Sequence, residues 1–266
     1  MLLKGMGIIS IIMAAVSCIW FVPGKIYLVP LVLIGTFVAL ALLWCLFCSI
    51  CAAFIDMDKD YDTHSPFYRY FVNNIIESLE IFMNIKTHYS GKECLPDEKF
   101  MLVCNHRSAM DPLLTMGVLR EYNTGFIAKK AIYKVPVIRR LMHRCFCPKL
   151  DKEDMKSQAK TILRASKLIK SQEASIGIYP EGTRNKTGEG LLPFMSGSFK
   201  IAKKADCPIV VAIIKNAENI SKNTPWKKTH VYIEFIGVID KEIVATHNTT
   251  ELSDMAKGMI EEKMTA

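Results

Sequence analysis

The first 55 residues of this chain carry two charges, Lys4 and Lys25, and no acid, and that constrains the fold more than any later feature. Residues 6–22 are uncharged, Pro23-Gly24-Lys25 interrupts them, and residues 26–55 are uncharged again. A helix of about 20 apolar residues crosses a hydrocarbon core of about 30 Å. The first run just reaches that length, and the second has length to tilt or bend at Pro30. So short an interruption predicts a transmembrane helical hairpin, with spans near 6–22 and 26–55. A cleavable signal with Lys4 as its charged region would explain the first run and leave the second unexplained. A single spanning or interfacial segment is the third arrangement. Lys4 and Lys25 nearly balance and four aspartates (Asp56, Asp58, Asp60, Asp62) follow, so charge bias does little to orient the spans.

Composition defines the remainder. The 266 residues include 34 Lys+Arg against 26 Asp+Glu, and Lys4 and Lys25 supply only two of the net +8. Half of the residues are hydrophobic and 23% are charged, which excludes a disordered chain and points to a basic, water-facing domain after the apolar segment. Nucleic acid would suit the charge, but the sequence has no aromatic-interleaved basic module and no zinc finger. The nine cysteines are odd in number and scattered, unlike a disulfide framework. Cys145-x-Cys147 lacks a second Cys/His pair at finger spacing, so reduced, buried thiols in a reducing cytosol are the simpler reading.

Between these parts, Phe67, Phe71, Ile75, Leu79 and Phe82 recur at helical spacing, with Tyr68, Arg69 and Tyr70 interleaved. The spacing predicts an amphipathic helix in a linker over 56–84, lying either at a membrane interface or on its own domain. From residue 85 to 266, short apolar runs alternate with helical stretches. Strands are expected at 100–104, 125–128, 175–179, 208–214 and 231–238. Helices are expected at 112–121, 137–144, 152–170 and 198–205, that of 152–170 with Met155, Ala159, Ile162, Leu163 and Ile169 inward. This alternation predicts an α/β domain with a mostly parallel central sheet flanked by helices. Ligands in such sheets gather beyond the carboxyl ends of strands, which directs attention to residues 105 and 180 onward.

After the first strand comes Asn105-His106-Arg107-Ser108-Ala109-Met110-Asp111. His106 and Asp111 fall 140° apart on a regular helix, so they meet only if His106 occupies the strand-to-helix turn and Asp111 the first helical turn. Asp111 would then accept from one imidazole nitrogen and leave the other free as a general base. Asp111 ahead of Pro112 is also an ordinary helix cap, and Ser108-x-x-Asp111 has capping-box spacing. After the second strand, Pro180-Glu181-Gly182-Thr183-Arg184 ends the strand, lets backbone approach a ligand and offers a guanidinium fork for phosphate. An exposed surface turn fits the same residues. Lys129 and Lys130 add charge near a site or form a solvated edge.

Together these residues resemble the glycerolipid acyltransferase family, in particular its 1-acylglycerol-3-phosphate (lysophosphatidic acid) acyltransferases. Asn105, His106 and Asp111 match that family's N-H-x-x-x-x-D motif, and Glu181 to Arg184 within YPEGTRN match its E-G-T-R motif. Residues 125–130 (GFIAKK) resemble the block between them. Residues 207–213 (CPIVVAI) correspond to a fourth block, with Val211 or Ala212 where a second proline is common. The resemblance spans roughly 85–240. It implies acyl transfer from acyl-CoA or acyl-carrier protein to the sn-2 hydroxyl of lysophosphatidic acid, giving phosphatidic acid. It assigns general base to His106, orientation of that base to Asp111, and acceptor phosphate to Arg184 with Thr183, Gly182, Lys129 and Lys130. Glu181 would brace Arg184 or Gly182, and Asn105 and Ser108 would hold the turn. It implies no cofactor, no metal and no nucleic acid, with membrane lipids as partners and the catalytic domain on the cytoplasmic face. The alternatives are a relative acting on another lysophospholipid or lipid hydroxyl, a non-catalytic membrane adaptor, and a hydrolase, which would lack a G-x-S-x-G elbow.

Overall fold

A computed structural model describes residues 2–20, 26–151, 153–185 and 190–265. The chain divides into two compact units, Met1–Asp58 and Lys59–Ala266.

In the first unit, α1 (Leu2–Trp20) packs against α2 (Val29–Ala53). Among the described residues, α2 is the one helix long and apolar enough to cross a membrane; Gly5–Ser17 is a shorter apolar stretch. The predicted break at Pro23-Gly24-Lys25 lies outside the described residues. Ser10, Thr36 and Ser49 donate their hydroxyls to the carbonyls of Met6, Val32 and Cys45, one turn back, so these polar groups are satisfied within their own helix.

The second unit opens with α3 (Pro66–Phe82), capped by Ser65, whose hydroxyl accepts from Tyr68 N. Next come β1 (Ile85–Ser90), β2 (Met101–Cys104), α4 (Asp111–Val118), β3 (Gly125–Phe126), β4 (Ala128–Lys129), α5 (Pro136–Arg144), β5 (Lys149–Leu150), α6 (Met155–Lys170) and β6 (Ile176–Ile178). The chain then forms α7 (Lys200–Ala205), β7 (Ile209–Lys215), α8 (Ile220–Asn223), β8 (Thr229–Ile239), α9 (Lys241–Thr246) and α10 (Thr249–Thr265). Six strands make one sheet in the order β1-β8-β7-β2-β6-β3. Every neighbouring pair is parallel except β7 with β8. The core packs Met101, Val103, Ile176, Ile178, Ile209 and Val211 against Leu168 and Ile169 of α6, Ile201 of α7 and Leu252, Ala256 and Ile260 of α10.

Several expectations shift. The strand predicted at 125–128 is split: Ile127 N still donates to Gly177 O, but Ala128 N turns to Pro148 O, and β4 pairs with β5 in a separate two-stranded sheet. Strand β1 and helices α9 and α10 carry no strong sequence periodicity and were not expected. The inward face of α6 is also rotated. Met155, Ala159 and Leu163 are exposed while Thr161, Ala165, Leu168 and Ile169 are buried. On α3, Phe67 and Phe82 face out, and Arg69, Val72 and Ile76 face in. Arg69 belongs inside because its guanidinium donates to the carbonyls of Thr124, Asn123 and Cys145. A buried charge needs such bonding, and no hydropathy pattern announces it. In β7, a register shift against β8 falls between Val211 and Ala212, where the resembling family often has proline. Val211 pairs with Val103 on one side and Gly237 on the other, and a strand bonded on both sides tolerates proline poorly.

Candidate active site

Parallel pairing of β2 with β6 in the register Val103↔Ile178 carries the two chains out of the sheet side by side. Residue 106 therefore emerges next to residue 181. The backbone N–H of His106 donates to Glu181 Oε1 (2.8 Å), and the His106 carbonyl accepts from Asn185 N (2.8 Å). The second turn thus holds the first on both sides of His106. On the opposite flank, Asn105 replaces the sheet ladder with its own amide: Nδ2 donates to Ile214 O (3.0 Å), and Oδ1 accepts from Ile214 N (2.7 Å).

Within the first turn, His106 Nδ1 lies 2.9 Å from Asp111 Oδ2. The same oxygen accepts from Arg107 N and Ser108 N, each at 2.7 Å. Asp111 starts α4 and is completely buried, where amides and the helix N-terminus stabilise its carboxylate. A carboxylate there makes Nδ1 the donor, so Nε2 carries the lone pair. The Ser108-x-x-Asp111 spacing closes only half of a capping box. Ser108 N reaches Asp111, but the Ser108 hydroxyl accepts from Met110 N instead of the residue-111 amide.

The imidazole lies on an aromatic stack. Its ring is 4.1 Å from that of Tyr179 and nearly parallel, and Tyr179 stacks in turn on Phe126 at 5.2 Å. Gly177 permits this, because a β-carbon there would enter the Phe126 ring. Burial, and next the charge of Asp111, push the Tyr179 phenol well above its ordinary range, so Tyr179 is a neutral platform and no base. Cys104, also buried beneath the site, stays a thiol for the same two reasons.

The second turn splits into an inner and an outer half. Tyr179, Pro180 and Glu181 are buried, Gly182 has a positive φ of 62°, and Thr183 and Arg184 are exposed. Glu181 takes on a further duty: its second oxygen accepts from Leu192 N (3.1 Å), so the carboxylate joins the His106 turn to the loop beyond. A buried carboxylate with two backbone amides within reach has no cause to turn outward. Arg107 Nη2 and Asn185 Nδ2 both donate to Gly190 O, fastening the far end of that loop. Lys130 is paired with Asp151 at 2.7 Å, and Lys129 and Lys130 are both exposed on β4 and just after it. That pairing gives Lys130 a partner just beyond β5. Cys145 and Cys147 are buried, the Cys145 thiol pushed up to about 12 by desolvation, and among the described residues no group of three His, Cys, Asp or Glu side chains is arranged so that it could hold a metal ion.

Asn105, His106, Ser108, Asp111 and Glu181 thus meet at one place, with Gly182, Thr183 and Arg184 on its rim. Sequence reasoning missed Asn185 and the Phe126–Tyr179 platform. The asparagine closing YPEGTRN and the aromatic two residues before Glu181 were the available signals.

Residues 86–215 match the family model described as Acyltransferase. The chain is 34% identical over 152 residues to the chloroplastic 1-acyl-sn-glycerol-3-phosphate acyltransferase BAT2 of Brassica napus, covering 56% of this chain and 43% of that one. It is 27% identical over 160 residues to the 1-acyl-sn-glycerol-3-phosphate acyltransferase of Haemophilus influenzae, covering 60% and 66%. Its matches span between 43% and 66% of these curated relatives' own length. Its fold is similar to that of the 1-acyl-sn-glycerophosphate (LPA) acyltransferase PlsC from Thermotoga maritima, with a TM-score of 0.63, 18% identity and coverage of 99% of this chain and 98% of that one.

Proposed function

Residues 86–215 are an acyltransferase-family domain, and from that premise we propose that the protein is a 1-acylglycerol-3-phosphate O-acyltransferase making phosphatidic acid. The observation carrying this reading is the His106–Asp111 pair held from both sides by the turn that bears Arg184. His106 Nε2 removes the proton of the acceptor's sn-2 hydroxyl as that oxygen attacks the thioester carbonyl. The C–O bond forms, the C–S bond breaks, and His106 returns its proton to the departing thiolate. Asp111 fixes the tautomer and stabilises the imidazolium between these steps. The exposed Arg184, with Thr183 and the Gly182 backbone, binds the acceptor phosphate at the rim. Acyl-CoA or acyl-carrier protein serves as donor, and the chain's own side chains carry the proton without metal or cofactor.

The membrane reading rests on the first unit. Ile8, Ile11, Leu31, Ile34, Leu42 and Leu43 are all exposed on α1 and α2, a surface unsuited to water. We read α1 and α2 as an integral anchor in the form of a helical hairpin, with the domain on the cytoplasmic face. Purified protein assayed with a panel of lysolipids and both donor classes tests the reaction. The expected outcome is highest kcat/KM for lysophosphatidic acid. Preference for an acceptor without a terminal phosphate would transfer the reading to another lipid hydroxyl, and no transfer to any acceptor would overturn it.

A further inference from the structure

The catalytic turns lie at the carboxyl ends of β2 and β6, and the sheet's single antiparallel pair brings another segment to that same end. Because β8 runs against β7, in the register Lys215↔Tyr232, the start of β8 lies where β7 finishes. Thr229 is three residues before Tyr232, so the connection into β8 overhangs the end of β7 by about 10 Å at a strand's rise per residue. The start of β1 and the end of α3 are beside it, since Ile85 pairs with Thr229.

That overhang presents an unusual surface. Trp226 is 92% exposed and is flanked by the exposed Lys227 and Lys228, with exposed Lys222 on α8 below. Residues 220–229 hold these three lysines and no acid. Next to it, the last turn of α3 exposes Phe82 (70%) and Ile81 (49%). The two segments are tied together. Thr224 Oγ1 donates to Met83 O (3.2 Å), Asn84 Nδ2 donates to Pro225 O (3.4 Å), and Thr229 N donates to Asn84 O (2.9 Å). Lys227 N bonds back to Asn223 O (2.8 Å), and Asn223 Nδ2 to Thr229 Oγ1 (3.0 Å). Trp226 is therefore held out on a bonded platform.

A water-facing protein gains nothing from an indole presented this way. Apolar groups ringed by lysines match one environment well, the boundary where acyl chains meet anionic headgroups. Indole favours that depth, and lysines gain from the negative surface. We infer that the Trp226 connection, together with Ile81 and Phe82, is a second membrane contact of the folded domain, seated in an anionic bilayer interface and separate from the N-terminal anchor. It sets the carboxyl end of the sheet, with His106, against the lipid surface from which an acceptor arrives. The inference rests on the membrane reading of the first unit and is independent of the reaction chemistry.

The test uses the full chain with Trp20 and Trp44 changed to Phe, leaving Trp226 as the reporter, reconstituted into phosphatidylcholine vesicles with and without phosphatidylglycerol. With the anionic lipid, Trp226 emission should shift to the blue, brominated acyl chains should quench it, and iodide should not. Lys227→Glu/Lys228→Glu should reverse this, weakening the seating by about fivefold for each lysine lost. In the otherwise native chain, Trp226→Ala should raise the KM of a vesicle-borne acceptor by about threefold to tenfold and leave that of a water-soluble short-chain acceptor unchanged. Failure of the chain to float with vesicles would sink the anchor and this contact together. Flotation with Trp226 fully open to iodide and untouched by brominated lipid would sink this contact alone.

Discussion

The turn after β2 directs nearly all of its polar groups into the fold, whereas the turn after β6 is divided between fold and solvent. In the first, one Asp111 oxygen gathers His106 Nδ1 and two backbone amides, and the Asn105 amide is used up on Ile214. In the second, Glu181 and Asn185 clasp the His106 backbone from inside while Thr183 and Arg184 stand outside. Chemistry that depends on a fixed nitrogen is served by the first kind of turn, because its geometry is determined before substrate arrives. On the proposed function, recognition of a phosphate entering from a lipid surface falls to the outer half of the second. The two turns would then have different duties, and variants in them should fail in different ways.

The largest effect belongs to the first turn. His106→Ala should lower kcat by about 100-fold or more, the lower bound for a general base. Both bonds to residue 106 from the second turn are backbone bonds, so the thermal unfolding midpoint should barely move. Normal turnover in that variant would break the comparison outright.

Arg184 comes next. Arg184→Ala should raise the acceptor's KM by roughly 10- to 150-fold, the worth of a charge-assisted bond of about 1.5–3 kcal/mol. Arg184→Lys should recover part of that, since it keeps the charge and loses the fork. A change confined to the donor's KM would move Arg184 to the thioester's phosphates. A fall in stability with both constants unchanged would make the outer half as structural as the inner.

Glu181→Gln should have the smallest effect on turnover and the clearest on folding. Two backbone amides, from His106 and Leu192, need acceptors, and Gln offers only one oxygen. An unmet buried donor costs about 1–3 kcal/mol, which chemical denaturation would detect as an earlier midpoint with the acceptor's KM unchanged. A rise in that KM matching the Arg184 variants would instead make Glu181 a brace for Arg184.

Much of this was legible in the chain itself. The uncharged opening, the strand–helix alternation and the five-residue spacing of His106 from Asp111 are local properties, set by side-chain period and by the few backbone routes through a strand-to-helix turn. That spacing even specified where each residue must lie if the two were to meet, and they lie there. Polar residues turned inward were harder to read. Arg69 looks like the wet side of an amphipathic helix, yet three carbonyls distant in sequence draw it in. The rotated face of α6 reflects the same limit, since apolar spacing names the candidates for burial while the packing partners choose among them.

Only tertiary structure decided which ends of the sheet elements come together. Glu181 reaches His106 across 75 residues, and Asn105 reaches Ile214 across 109. Both contacts follow from the strand order that places β2 between β6 and β7. The reversal of β8 likewise brings Trp226 to the end of the sheet that carries His106. By itself the sequence determined which residues have the chemistry, because chemistry and short-range spacing belong to the residues themselves. Their partners were settled by strand pairing, which joins segments far apart in the chain and leaves no period in the sequence to read.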